Sequence, residues 1–144
     1  MIDVQGKSLQ QISDEIAEAL IRQGVQCRNN ITDLCVYGNS EGQHCAVGMI
    51  IPEDEVWAFE VEGQVYNLLN YGYVRFETGH RDTPFWFSFL NENKEFFNLI
   101  QHLHDTSSVS SRKVFAERVS ELYKIDMKAW DDWINLGGSE QIQQ

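Results

Sequence analysis

Residues 8–24 carry the start, the stripe and the stop of one amphipathic helix, and no other stretch restricts the fold as tightly. Ser8 is an N-cap residue, and Gln11 three places on completes a capping box. Leu9, Ile12, Ile16 and Leu20 recur at helical spacing, while Asp14, Glu15, Glu18 and Arg22 fall on the other side. Gly24 follows Gln23 where a left-handed residue closes a helix. A stripe this regular has to be covered, so the rest of the chain must supply an apolar partner surface.

Further segments offer that surface. Residues 31–37 read as a strand followed by a turn at Gly38–Gly42. The apolar run Cys45–Ile51 ends at Pro52, and its periodicity leaves buried strand and buried helix open. Val65, Leu68 and Leu69 predict a short helix stopping near Gly72. Residues 73–78 and 85–89 alternate like two strands, joined by Gly79–Pro84. Asn91 or Asn93 caps a helix with Phe96, Ile100 and Leu103 on one side, and Ser110 or Ser111 caps another with Phe115, Val119 and Leu122. Asp126 caps a last short helix with Met127, Trp130 and Ile134, closed by Gly137-Gly138. The expected fold class is α+β, a mainly helical single domain with a few short strands forming a β-hairpin. That domain spans 1–138, with 139–144 as a frayed tail. The chain has 144 residues, 42% of them hydrophobic, which suits one domain with a real core.

Charge narrows the function classes. A formal net charge of −11 disfavours direct contact with a nucleic-acid backbone, which needs clustered Lys and Arg. The field attracts a basic partner and can mimic nucleic acid in a basic groove; solubility alone is the plainer use of such acidity. No apolar run approaches the length of a membrane span, and the N-terminus lacks the pattern of a secretory signal. Cys27, Cys35 and Cys45 are odd in number and lack metal-type spacing, so reduced thiols in a cytoplasm are expected.

The acids concentrate at residues 49–80. Glu53, Asp54, Glu55, Glu60 and Glu62 are the candidate partner-binding residues, and Trp57 is the candidate anchor between them. The competing reading is a solvated acidic face with Trp57 and Phe59 in the core. A Mg²⁺ or acid/base site lacks any accompanying phosphate-binding loop. Cys45, His104 and Asp105 are the one combination that permits nucleophilic catalysis. Against it, Cys45 sits in an apolar run, and Asp105, next to His104 on a helix, points away from that ring. The alternative is therefore a small hydrolase or transferase using Cys45 and His104, but neither a catalytic residue nor a cofactor is assigned. Cys27, Cys35, His44, Cys45, His80, His102 and His104 do not share a recognised zinc spacing, so no metal is expected. Trp130 and Trp133 share a helix face, and an exposed one would support a homodimer.

Several short motifs carry a resemblance. Cys35-Val36-Tyr37, Gly42, Cys45-Ala46-Val47-Gly48 and Ile51-Pro52-Glu53-Asp54-Glu55 resemble a pattern in a family of small phage, prophage and bacterial proteins. Gln23-Gly24 matches the end of that family's first helix, and Ile100–Asp105 resembles its Leu-Gln-x-x-His-Asp segment. The chain departs from the pattern at His44, where Lys is usual, and residues 73–89 look additional. The resemblance implies a phage or prophage setting rather than an activity. Small acidic phage proteins include inhibitors of host defence, such as anti-CRISPR-type proteins. The expected function is thus a non-enzymatic, cytoplasmic inhibitor acting on a host protein or nucleoprotein complex with a basic surface. A structural or housekeeping phage protein, acidic only for solubility, is a further alternative.

Overall fold

In a computed structural model of the chain, residues 1–24, 27, 36–39, 41–78 and 82–136 are described. Among the described residues the named α-helices are α1 (Leu9–Gln23), α2 (Val56–Phe59), α3 (Val65–Thr78), α4 (Phe85–Glu92), α5 (Lys94–Asp105) and α6 (Val109–Tyr123). Two 3₁₀ turns, Val47–Ile50 and Lys128–Trp130, add to them, and residues 131–136 continue from the second as helix. Among the described residues β structure is limited to two isolated bridges, Val36 with Glu62 and Gly38 with His44. The fold is all-α, which corrects the expected α+β class and its hairpin.

The first helix follows its caps. Ser8 Oγ accepts the Gln11 amide at 3.2 Å, and the Ser8 amide donates to Gln11 Oε1 at 2.9 Å. Gly24 takes φ 80° and its amide returns to the Leu20 carbonyl. The buried stripe of Ile12, Ile16, Ala17 and Leu20 also contains Ser13, whose hydroxyl receives the Trp130 indole N–H at 3.0 Å. Gln10 exchanges two 2.7 Å hydrogen bonds with the Asp126 backbone. The partner surface demanded by α1 therefore includes the C-terminal turn.

Residues 73–78 belong to α3 and 85–89 to α4. Val65, Leu68, Leu69, Gly72 and Phe76 are buried in a stripe that runs past Gly72 without interruption. Gly72 does not end the helix. A Cβ there would lie 2.1 Å from Phe87 Cε1, so the glycine lets α3 and α4 approach closely. In α4, Trp86, Phe87 and Leu90 point inward at helical spacing, while Phe85 is exposed and stacks on Phe89 one turn away. The Phe85, Phe87, Phe89 alternation arose because nearly every residue of this segment is apolar.

The open question at Cys45–Ile51 resolves as a wholly buried 3₁₀ turn. Gln101 of α5 accepts the Val47 amide at 3.1 Å, and Ile2 donates to the Met49 carbonyl at 2.7 Å. Helix α5 is the centre of the molecule, packing along α6 and meeting α3, α4 and this turn. Asn93 caps the end of α4 through Nδ2 to the Phe89 carbonyl, and it provides no side-chain cap to α5. Ser108, rather than Ser110 or Ser111, caps α6 by accepting the Ser111 amide at 3.1 Å. That register buries Arg112, Ala116 and Val119 and leaves Leu122 exposed. The last turn starts from Met127, which gives no side-chain cap, and not from the expected Asp126, whose carboxylate accepts the Lys128 amide at 2.8 Å just before it. Of the strand expected at 31–37, residues 36 and 37 form no more than the isolated Val36 bridge, and residues 31–35 lie outside the described residues, as do Ser40 of the Gly38–Gly42 turn, the loop at 79–81, the Gly137-Gly138 stop and the 139–144 tail. Among the described residues no helix is long and apolar enough to cross a membrane.

Candidate functional site

The acidic segment folds as a turn, one helical turn and a short extended connection, and this divides its acids by environment. Pro52 accepts the Glu55 amide at 3.0 Å, which turns the Glu55 side chain inward. Glu55 is 7% exposed, and its Oε2 accepts the Trp57 indole N–H at 2.5 Å. Glu53 stays outside and pairs with His44 Nε2 at 2.9 Å, and Asp54 is exposed. Glu60 is exposed after α2, and Glu62 is half-buried at its bridge to Val36.

Trp57 is half-buried against an aromatic cluster. Its ring lies 5.8 Å from Phe76 and 6.2 Å from Trp86 between centroids, and the Arg75 guanidinium sits 5.4 Å from its ring centre. The exposed part of Trp57 forms one wall of a groove of about 1030 Å³ between α2 and α3. Glu60, Glu62, Asn67, Tyr71, Val74 and Arg75 are among its other lining residues. Three of the six predicted residues, Trp57, Glu60 and Glu62, therefore meet in one concavity. Glu53 and Asp54 stand outside it, and Glu55 orients the indole from beneath.

The outer face of α3 was missed in the sequence. Tyr66, Tyr71, Tyr73 and Val74 are all more than 60% exposed. Exposed tyrosines beside acids have the composition of an interface, since they supply rigid contact area with a polar tip. The signal was present once 65–78 is taken as one helix: Tyr66 and Tyr73 are seven apart, and none of the four falls on the buried stripe.

The catalytic candidates take a different arrangement. Cys45 is fully buried; burial first, and then the Asp105 carboxylate, raises its thiol well above the ordinary range. Its sulfur accepts the Gly48 amide at 3.3 Å. His104 Nδ1 lies 2.7 Å from Asp105 Oδ1, a contact that helical neighbours were not expected to make. Asp105 ends α5, where its short side chain can swing back along the helix terminus. The His104 ring stacks on Trp133 at 5.3 Å, and His102 stacks on Phe115 at 5.4 Å. Cys27 is buried and donates to the Gln43 carbonyl; Cys35 and His80 lie outside the described residues. Among the described residues no group of three or more His, Cys, Asp or Glu is placed to hold a metal ion. Trp130 and Trp133 are both fully buried, so neither offers the exposed anchor expected of a homodimer contact.

Compared with protein-family models, with curated proteins and with solved structures, the chain matches none.

Proposed function

We propose that this chain is a non-enzymatic interaction protein of phage or prophage type that binds a basic surface of a host macromolecule in the host cytoplasm and inhibits it. The observation that carries this reading is the α2–α3 groove, where Glu60 and Glu62 stand beside the exposed edge of Trp57 and the open side chains of Tyr71 and Val74. Aromatic anchors with a charged rim provide contact area and orientation together. The net charge of −11 supports the same reading, because it accelerates encounter with a basic partner and repels nucleic acid itself. A nucleic-acid-binding complex is the partner class whose surface is most consistently basic. The phage setting rests on the motifs from Cys35 to Glu55 and from Ile100 to Asp105.

The test is affinity capture from host lysate at low and raised salt, with the wild-type chain beside E60Q/E62Q and Y71A. The expected result is one stoichiometric basic partner, released by salt from the wild type and lost from both variants. Equal capture by all three proteins would remove the groove from the reading. Capture that ignores salt would remove the electrostatic argument.

A further inference from the structure

A second concavity, of about 390 Å³, opens where α3, α5 and α6 meet, and it shares no lining residue with the α2–α3 groove. Its size falls in the range that takes small molecules. The interior is apolar. Val65 and Leu69 are buried at its α3 wall, and Leu99 is half-buried at its α5 wall. The mouth carries Leu122, 62% exposed, beside Lys94 and Arg118. Among the described residues neither cation makes an ion pair or a hydrogen bond.

Two unpaired cations at one apolar opening are unusual in a chain that carries 11 Lys and Arg against 22 Asp and Glu. Glu95 is the one acid among the lining residues, so the mouth has a local excess of positive charge. Tyr123 adds a hydroxyl donor. Burial, and then Glu95, raise its phenol above the ordinary value, which keeps the proton in place. An apolar tail would gain from leaving water, and a negative head would gain from the cations and the hydroxyl.

We propose that this pocket binds a small amphipathic carboxylate, with its hydrocarbon tail against Leu69 and Leu99 and its head between Lys94 and Arg118. The site is independent of the proposed partner groove, and its test needs no host partner.

The experiment is a two-dimensional amide NMR titration of the full chain with octanoate, octan-1-ol and octylammonium, repeated on K94A/R118A. Both substituted residues are exposed, and the unchanged remainder of the amide spectrum shows that the variant is folded. Octanoate is expected to shift the Leu99 and Leu122 amides and to bind about tenfold more tightly than octan-1-ol, as two exposed ion pairs allow. Octylammonium is expected to bind no better than the alcohol. In the double variant octanoate falls to the level of octan-1-ol, whose own binding is unchanged. Any of three results overturns the proposal: octanoate and octan-1-ol binding alike to the wild type, octanoate binding undiminished in the double variant, or millimolar octanoate leaving Leu99 and Leu122 unmoved.

Discussion

Two glycines show how closely single residues are held. A Cβ on Gly48 would fall 1.9 Å from the Tyr37 carbonyl oxygen, and backbone cannot step aside as a side chain can. We expect G48A to lose about 3 kcal/mol or more in urea unfolding. G72A would meet the Phe87 ring at 2.1 Å, and because a ring can shift, its loss should be smaller, about 1–3 kcal/mol. A loss for G72A exceeding that for G48A would contradict this ranking of backbone over side-chain clashes. Cys45 and Tyr37 give a prediction in pH. Burial is the first cause of the raised value in both, so the folded state holds these protons more tightly than the unfolded chain does. The resulting stabilisation is complete below the unfolded thiol value and is lost as pH rises past about 8.5 for Cys45 and about 10 for Tyr37. C45A should therefore unfold with a slope between those pH values shallower by up to about 1.4 kcal/mol per pH unit. Y37F should flatten the slope only above pH 10. Identical slopes in wild type and C45A would show that the thiol does not contribute. Iodoacetamide at neutral pH should likewise leave Cys45 unmodified in the native protein and alkylate it in denaturant, as read by peptide mass spectrometry.

Among the elements, α6 is held by an unexpected residue. Arg112 is fully buried, with Nε donating to the Thr106 carbonyl at 2.7 Å and an η nitrogen donating to the Trp133 carbonyl at 2.5 Å. Its guanidinium also lies 4.6 Å from the Trp133 ring centre. It thereby ties α6 both to the α5–α6 connection and to the C-terminal helical segment. R112A should cost at least about 3 kcal/mol in chemical denaturation, and R112K should recover little of it, because an ammonium lacks the planar fork. Full recovery by lysine would mean that charge alone matters there. Nothing in the spacing of Ser108-Val109-Ser110-Ser111 marks which serine starts this helix; its inner face adds Arg112 and Ala116 to Val119, keeps Phe115 half-buried against the core and leaves Leu122 exposed. Helix α1 was legible because cap, stripe and stop agree there. Helix α4 was not, since Phe-Trp-Phe-Ser-Phe-Leu satisfies a two-residue and a 3.6-residue period alike. The break at Gly72 misled because a helix interior accepts glycine where a neighbouring ring needs the space. At the candidate site, the acids and Trp57 could be read from composition. Which acid would turn inward could not, because the burial of Glu55 depends on the indole N–H two residues away.

For the whole molecule, the net charge acts on folding and on binding in opposite directions. The net −11 already counts every Lys and Arg, so pairs such as Lys7–Glu15 at 2.8 Å leave 11 acids in excess. Mutual repulsion among the remaining acids then opposes the compact state, and salt screens it over distances near 10 Å at about 0.1 M. Thermal unfolding should consequently shift upward by several degrees between about 10 mM and 150 mM NaCl. A chain whose ion pairs outweighed its repulsions would move the other way, so a downward shift would reverse the sign assigned here. The same screening weakens attraction to a basic partner, so over one salt series the fold strengthens while the complex weakens. Release of a captured partner in that range therefore cannot be attributed to loss of the fold. If E60Q/E62Q also begins with a higher melting temperature at 10 mM salt, then Glu60 and Glu62 weaken the free protein, as expected of acids kept for a partner rather than for the fold. An unchanged or lower melting temperature would mean that these two acids are already compensated within the chain.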